Sequence, residues 1–184
     1  MQITLVRHAK VLINSNKKVD INGFREWLKN YDIAPIDTTL PKNEVVSLIK
    51  NSNYIATSSL KRAKESLEII GFKANEESTL FKELEVATTN IKHIKLSPKN
   101  WLILFRILMI FGLKNKQISL KKAKLRAKEA TKYLITLTRR HNNITLLAHG
   151  AINHLIAKEL EKEGFKLINK IGKHSNWSCK IYKI

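Results

Sequence analysis

The sequence predicts an α/β protein built on a mostly parallel sheet with helices on both faces. Two observations carry this. Three short, nearly continuous apolar runs, at residues 3–6, 54–57 and 144–148, have the pattern of strands covered on both faces. Helical patterns alternate with them, and alternating strands and helices place the helices as crossovers on a parallel sheet. In such sheets ligands gather at the carboxyl ends of the strands.

Each element follows from its residues in turn. The first strand, ITLV, runs straight into Arg7 and His8, neither of which is a turn former. The stretch REWLKNYD reads as a helix that packs Trp27 and Leu28 beside the loop after that strand. After YIATS comes SLKRAKESLEII, where Ser58 or Ser59 can cap a helix whose Leu60, Ala63, Leu67 and Ile70 share one face. A long helix is expected over about 119–140, its lysines mainly opposite Leu120, Ala123, Ala127, Ala130, Leu134 and Leu137. ITLLAH is followed by GAINHLIAKELEKEG, a helix with Ile152, Leu155, Ile156 and Leu160 on one face and Gly164 as its stop. WSCKIYKI reads as a last strand.

The composition bounds the function classes. A chain of 184 residues with 43% hydrophobic and 27% charged residues suits one globular domain with a real core. No basic, then apolar, leader precedes the first strand, so no secretory signal is expected. The longest apolar run, WLILFRILMIFGL, contains Arg106 and is shorter than a membrane span requires. Cys179 is the single cysteine, which excludes an intrachain disulfide and fits a reducing, cytoplasmic setting. The net charge of +19 admits an anionic substrate, membrane surface or nucleic acid. Lysines number 27 against seven arginines, however, and the basic helix has no interleaved aromatic residues. A solvated lysine-rich surface is the simpler reading, and nucleic acid is not the expected partner.

Three strand ends would bring distant residues together. Arg7 and His8 follow the first, residues 58–62 the second, and His149 and Gly150 the third. Arg7 and Arg62 offer planar forks that match phosphate oxygens. His8 and His149 offer a nucleophile and a further donor. Helix N-termini after Ser58 and Gly150 add backbone amides suited to an anion. An imidazole between two guanidiniums is biased towards its neutral form, and a neutral imidazole can attack phosphorus.

These residues carry a resemblance. RHAKVLIN, SSLKRAKES and LLAHG resemble, in order and spacing, the three motifs of the histidine phosphatase superfamily, with Arg7, His8, Asn14, Ser58, Leu60, Arg62, Ala63 and His149 in place. The resemblance implies a three-layer, phosphoglycerate mutase-like fold over residues 1–184, with a small helical cap at about 84–118. It implies a phosphohistidine on His8. Arg7, Arg62 and His149 would hold the phosphoryl group, with Asn14 assisting and Gly150 and Lys10 at the pocket. A glutamate would serve as proton donor, Glu83 being the best match and Glu85 standing close by. It implies neither metal nor cofactor, because the arginines supply the positive charge. The substrate class is a phosphorylated small molecule or phosphoprotein, and hydrolysis is expected rather than the mutase-type phosphoryl transfer. A phosphate-binding module with little turnover is the alternative.

The chain departs from the family pattern in several places. Ala9 stands where a glycine is usual, and Lys10 and Val11 replace an acidic or Gln residue and a hydroxyl residue. The glycine expected after the acid motif is absent from ELEVATTN. His93, His141 and His154 match no motif, while His174 is close enough to the last strand to approach the pocket. The run at 101–113 is apolar nearly all round. A lid or core packing is the favoured reading, with dimer or membrane-surface contact as the other.

Overall fold

The structure is a computed structural model that describes residues 1–91, 93–111, 114–173 and 175–184, leaving aside the side chains of 110–119. Strand β1 (Gln2–Arg7) is buried along its middle on both faces. Ile3 and Leu5 point into one core cluster and Val6 into the other, as the two-residue period of a strand dictates. The chain continues through α1 (Ile21–Ile33), α2 (Asn43–Lys50), β2 (Tyr54–Ser58), α3 (Lys61–Ile69) and a short β3 (Glu76–Ser78). Then follow a 3₁₀ turn (Thr79–Phe81), α4 (Pro98–Phe111), α5 (Lys114–His141), β4 (Asn143–Ala148), α6 (Gly150–Lys162), β5 (Lys166–Ile171) and β6 (Cys179–Lys183).

The sheet order is β3-β2-β4-β1-β6-β5, with the first four strands parallel and β6 and β5 antiparallel to their neighbours. One face is covered by α5 and α6, whose Ala127, Ala130, Leu134, Ile152 and Ile156 meet Ile3, Leu5, Ile144 and Leu146. The other is covered by α2 and α3 through Val45, Ile49, Ala63 and Leu67. The architecture is thus the expected three-layer α/β/α arrangement around a mostly parallel sheet.

Four details differ from the sequence reading. Helix α3 is capped by Leu60 rather than a serine, because the Ser58 hydroxyl accepts the Leu60 N–H at 3.3 Å and makes the turn one step earlier. Helix α5 begins at Lys114, ahead of the expected 119. The last strand starts only at Cys179, since Trp177 adopts φ +59° and turns the chain before it. Strands β3 and β5 lie at the two sheet edges, where short or exposed sequences such as EES and KLINKI lack a buried-strand signature.

Helix α4 buries one face. Trp101 and Phe105 enter a separate cluster with Ile21 and Phe24 of α1, where the rings of Phe24, Trp101 and Phe105 stack with centroids 5.5–5.9 Å apart. The Trp101 indole donates to the Val19 carbonyl at 2.8 Å. Ile103 and Ile107 stay exposed on the opposite face. Among the described residues no helix is long and apolar enough to cross a membrane.

Candidate active site

The ladders at the middle of the sheet align three strand ends. Arg7 is the register partner of Ala148, and Thr57 that of Leu147, so His8 and His149 leave the sheet side by side, next to Ser58 at the end of β2. The rings of His8 and His149 meet edge-on, with centroids 5.0 Å apart. Arg7 lies along Gly150: a Cβ placed there would stand 3.5 Å from Arg7 Nε. Arg62, in the first turn of α3, is almost wholly buried.

His8 is held in one tautomer. Its Nδ1 is 2.6 Å from the Ala9 carbonyl oxygen, which can only accept, so Nδ1 carries the proton and Nε2 keeps its lone pair. Burial lowers its pKa to about 3, with further lowering from the Arg62 and Arg7 guanidiniums. His149 is pushed well below the ordinary histidine value by burial first, then by His8, Arg62 and Arg7. Its Nε2 is 2.8 Å from the Ser58 hydroxyl. Among the described residues, His149 Nδ1, Arg62 Nε and Ser59 Oγ are buried with no protein hydrogen-bond partner. Two neutral imidazoles, two guanidiniums and buried donors without partners make a cluster whose chemistry suits a small anion.

Glu83 reaches the same place from the loop after the 3₁₀ turn. Its carboxylate accepts the Ala151 and Ile152 amides of α6 at 3.2 and 3.0 Å, and its own neighbour Leu84 N–H at 3.0 Å. A carboxylate at a helix N-terminus meets both orphan amides and the positive dipole end. This corrects the expectation that the first amides of α6 stand ready for a substrate anion, because Glu83 takes two of them. Glu85 is exposed, and of the two glutamates Glu83 is the one held at the N-terminus of α6.

The structure does not bring all the expected residues to this point. Asn14 is exposed, its side-chain oxygen accepts the Asn16 N–H at 3.0 Å, and it lines a different cavity of about 280 Å³ with Trp27, Lys17 and Glu26. Lys10 is also exposed, and its charge adds to the Thr39 hydrogen bonds that hold the Asp37 carboxyl below its ordinary pKa. His174 lies outside the described residues. His141 stacks on Tyr54 with ring centroids 4.5 Å apart, and His93 is exposed at φ +62°.

Other residues enter the site without a sequence signal. Tyr31 and Asp32, at the end of α1, meet Arg62: the Tyr31 ring centroid is 5.0 Å from its guanidinium carbon, and Asp32 Oδ1 is 2.7 Å from its Nη1. Burial raises the Tyr31 hydroxyl pKa, against the pull of Arg62 and Arg7. The Asn176 amide donates to the His8 and Ala9 carbonyls, each at 2.9 Å. Ser66 Oγ accepts the Ala9 N–H at 2.9 Å and donates to the Arg62 carbonyl at 2.6 Å. Arg126 of α5 donates to the Glu83 carbonyl at 3.2 Å. A periodic helix face hides such roles, since tertiary packing alone selects which polar residue turns inward.

Comparison with solved structures matches the fold that carries these residues. A phosphoserine phosphatase from Entamoeba histolytica in complex with 3-phosphoglyceric acid superposes with TM-score 0.57 at 18% identity, covering 98% of this chain and 89% of that one. A mutant of that enzyme in complex with phosphoserine gives TM-score 0.54 at 17% identity over the same shares. The fold is that of the histidine phosphatases. The product of a Mycobacterium tuberculosis open reading frame has the same fold, with TM-score 0.50 and 12% identity over 100% of this chain and 95% of that one. No protein-family model matches the sequence, and no curated protein is significantly similar to it. Within this fold, the sheet order sets His8 and His149 at neighbouring strand ends.

Proposed function

We propose that this chain is a metal-independent phosphomonoester hydrolase that works through a phosphohistidine on His8. The observation that carries the reading is the state of His8: neutral, fixed by its Nδ1 proton, and buried beside Arg7, Arg62 and His149. His8 Nε2 attacks phosphorus and the bond to the leaving oxygen breaks. Arg7 and Arg62 offset the charge spread over the equatorial oxygens. With Ser58 donating to His149 Nε2, the imidazole proton sits on Nδ1, the atom without a protein partner, and makes a hydrogen bond to a phosphoryl oxygen without leaving the ring. The Glu83 carboxyl hands a proton to the leaving oxygen. It then takes one from the water that attacks phosphohistidine, so that inorganic phosphate leaves and the enzyme is restored. A phosphorylated small molecule is the substrate class we favour, the Entamoeba neighbours being a phosphoserine phosphatase bound to phosphoserine and to 3-phosphoglyceric acid.

Turnover of an aryl phosphate tests this. His8→Ala is expected to abolish it, and turnover is expected to persist in chelator because the arginines do the work of a cation. Unchanged activity in His8→Ala would sink the proposal. One observation favours a second reading, a phosphate-binding module with slow release. Both Glu83 oxygens are already engaged by backbone amides. Acid-labile phosphate that accumulates on His8 and leaves no more slowly in Glu83→Gln would favour the module over the hydrolase.

A further inference from the structure

We infer that Asp32, at the carboxyl end of α1, is a positioning residue that aims Arg62 at the phosphoryl group. The inference rests on the phosphohydrolase reading above. Arg62 has two usable edges, one formed by Nη1 and Nη2 and one by Nε and Nη2. Asp32 Oδ1 holds Nη1 at 2.7 Å, and the Tyr31 ring lies 5.0 Å from the guanidinium carbon, against the group. Arg62 Nε is buried and has no protein partner among the described residues. The carboxylate therefore occupies one end of the fork and leaves the Nε–Nη2 edge to an oxyanion, where two parallel N–H donors match two phosphate oxygens.

The placement of Asp32 is itself fixed. Lys61 Nζ donates to the Ile33 carbonyl at 3.0 Å, which ties the last turn of α1 to the first turn of α3, the turn that carries Arg62. Asp32 keeps 59% of its side chain exposed while the Arg62 side chain keeps 5%. The contact thus reaches a buried guanidinium from the solvent side, and the anion site lies on its inner side, towards His8. That asymmetry separates positioning from competition. A carboxylate that competed with substrate would sit on the Nε edge, beside the imidazole whose pKa Arg62 lowers.

The test is the binding of inorganic phosphate by calorimetry, together with kcat and KM for an aryl phosphate, in wild type, Asp32→Ala and Asp32→Asn. Asp32→Ala is expected to weaken phosphate binding and raise KM by about tenfold, with a smaller change in kcat, because a guanidinium free to swing presents its fork less often. Asp32→Asn keeps an acceptor oxygen for Nη1 and is expected to stay within about threefold of wild type. Tighter phosphate binding in Asp32→Ala would make Asp32 a competitor and overturn the inference, and so would unchanged binding or a loss confined to kcat. Wild type that binds phosphate without turning over the ester would defeat the hydrolase reading alone and leave the binding comparison decisive. Wild type that binds no phosphate would defeat both.

Discussion

His8 is neutral because its surroundings forbid its charge, and that has a consequence for stability. In the unfolded chain a histidine takes up a proton near pH 6.5, whereas folded His8 does so only at about 3. Between these values the unfolded state binds more protons, so stability rises with pH through the window and is lost as pH falls from about 6.5 towards 3. His149 is displaced in the same direction and adds to the slope. Urea unfolding across that pH range is expected to show a clearly shallower fall in His8→Asn than in wild type. Equal slopes would mean that burial of His8 is not the source. At this scale the sequence was informative about Arg7, His8, Arg62 and His149, because each stands next to a strand end and chemistry restricts what can stand there. It was silent on Asp32, Tyr31 and Asn176. These lie on a helix face or in a loop, where the same residue types are usual as solvated surface, and only tertiary packing brings them against Arg62 and His8.

Among elements, β4 and α6 do most to define the site. The turn between them carries His149 as N-cap and Gly150 as the first helical residue, and Arg7 lies against the glycine. A Cβ there would meet Arg7 at 3.5–3.7 Å, an ordinary contact, and Gly150 is not among the positive-φ residues. Gly150→Ala is therefore expected to keep turnover within about threefold of wild type and stability equal or raised by up to about 1 kcal/mol. A loss of more than tenfold would mean that Arg7 needs the space beside it. The central strands and the helices after them were legible because burial on both faces leaves an apolar run that no surface segment imitates. The edge strands β3 and β5 were not, since an exposed edge permits EES and KLINKI as readily as a loop does. The apolar run that starts at Trp101 reads from the sequence as a lid or core packing. Trp101 and Phe105 do pack, against Ile21 and Phe24 that α1 contributes from a distant part of the chain, while Ile103 and Ile107 stay exposed. No sequence signal named that partner.

For the whole molecule, the +19 charge and the proposed phosphate site both bear on stability. Self-repulsion among so many lysines opposes the compact state, and salt relieves it without specificity. A ligand held by Arg7, Arg62 and His149 adds binding energy to the folded state alone. Inorganic phosphate is expected to raise the melting temperature more than chloride at the same ionic strength, and the excess is expected to vanish in Arg62→Ala. Equal shifts from the two salts would show that only the diffuse charge is being screened. The clamp on the first strand end has a further consequence. Asn176 lies 168 residues beyond His8, and it grips the His8 and Ala9 carbonyls while the Trp177 N–H bonds the Arg7 carbonyl at 3.1 Å. Synthesis therefore places 168 residues between His8 and the side chain that clamps it. Until Asn176 and Trp177 are made, the strand end at His8 has its bonds to Ser66 and to β4 but not this clamp, so the geometry around His8 is completed in a single later step rather than gradually.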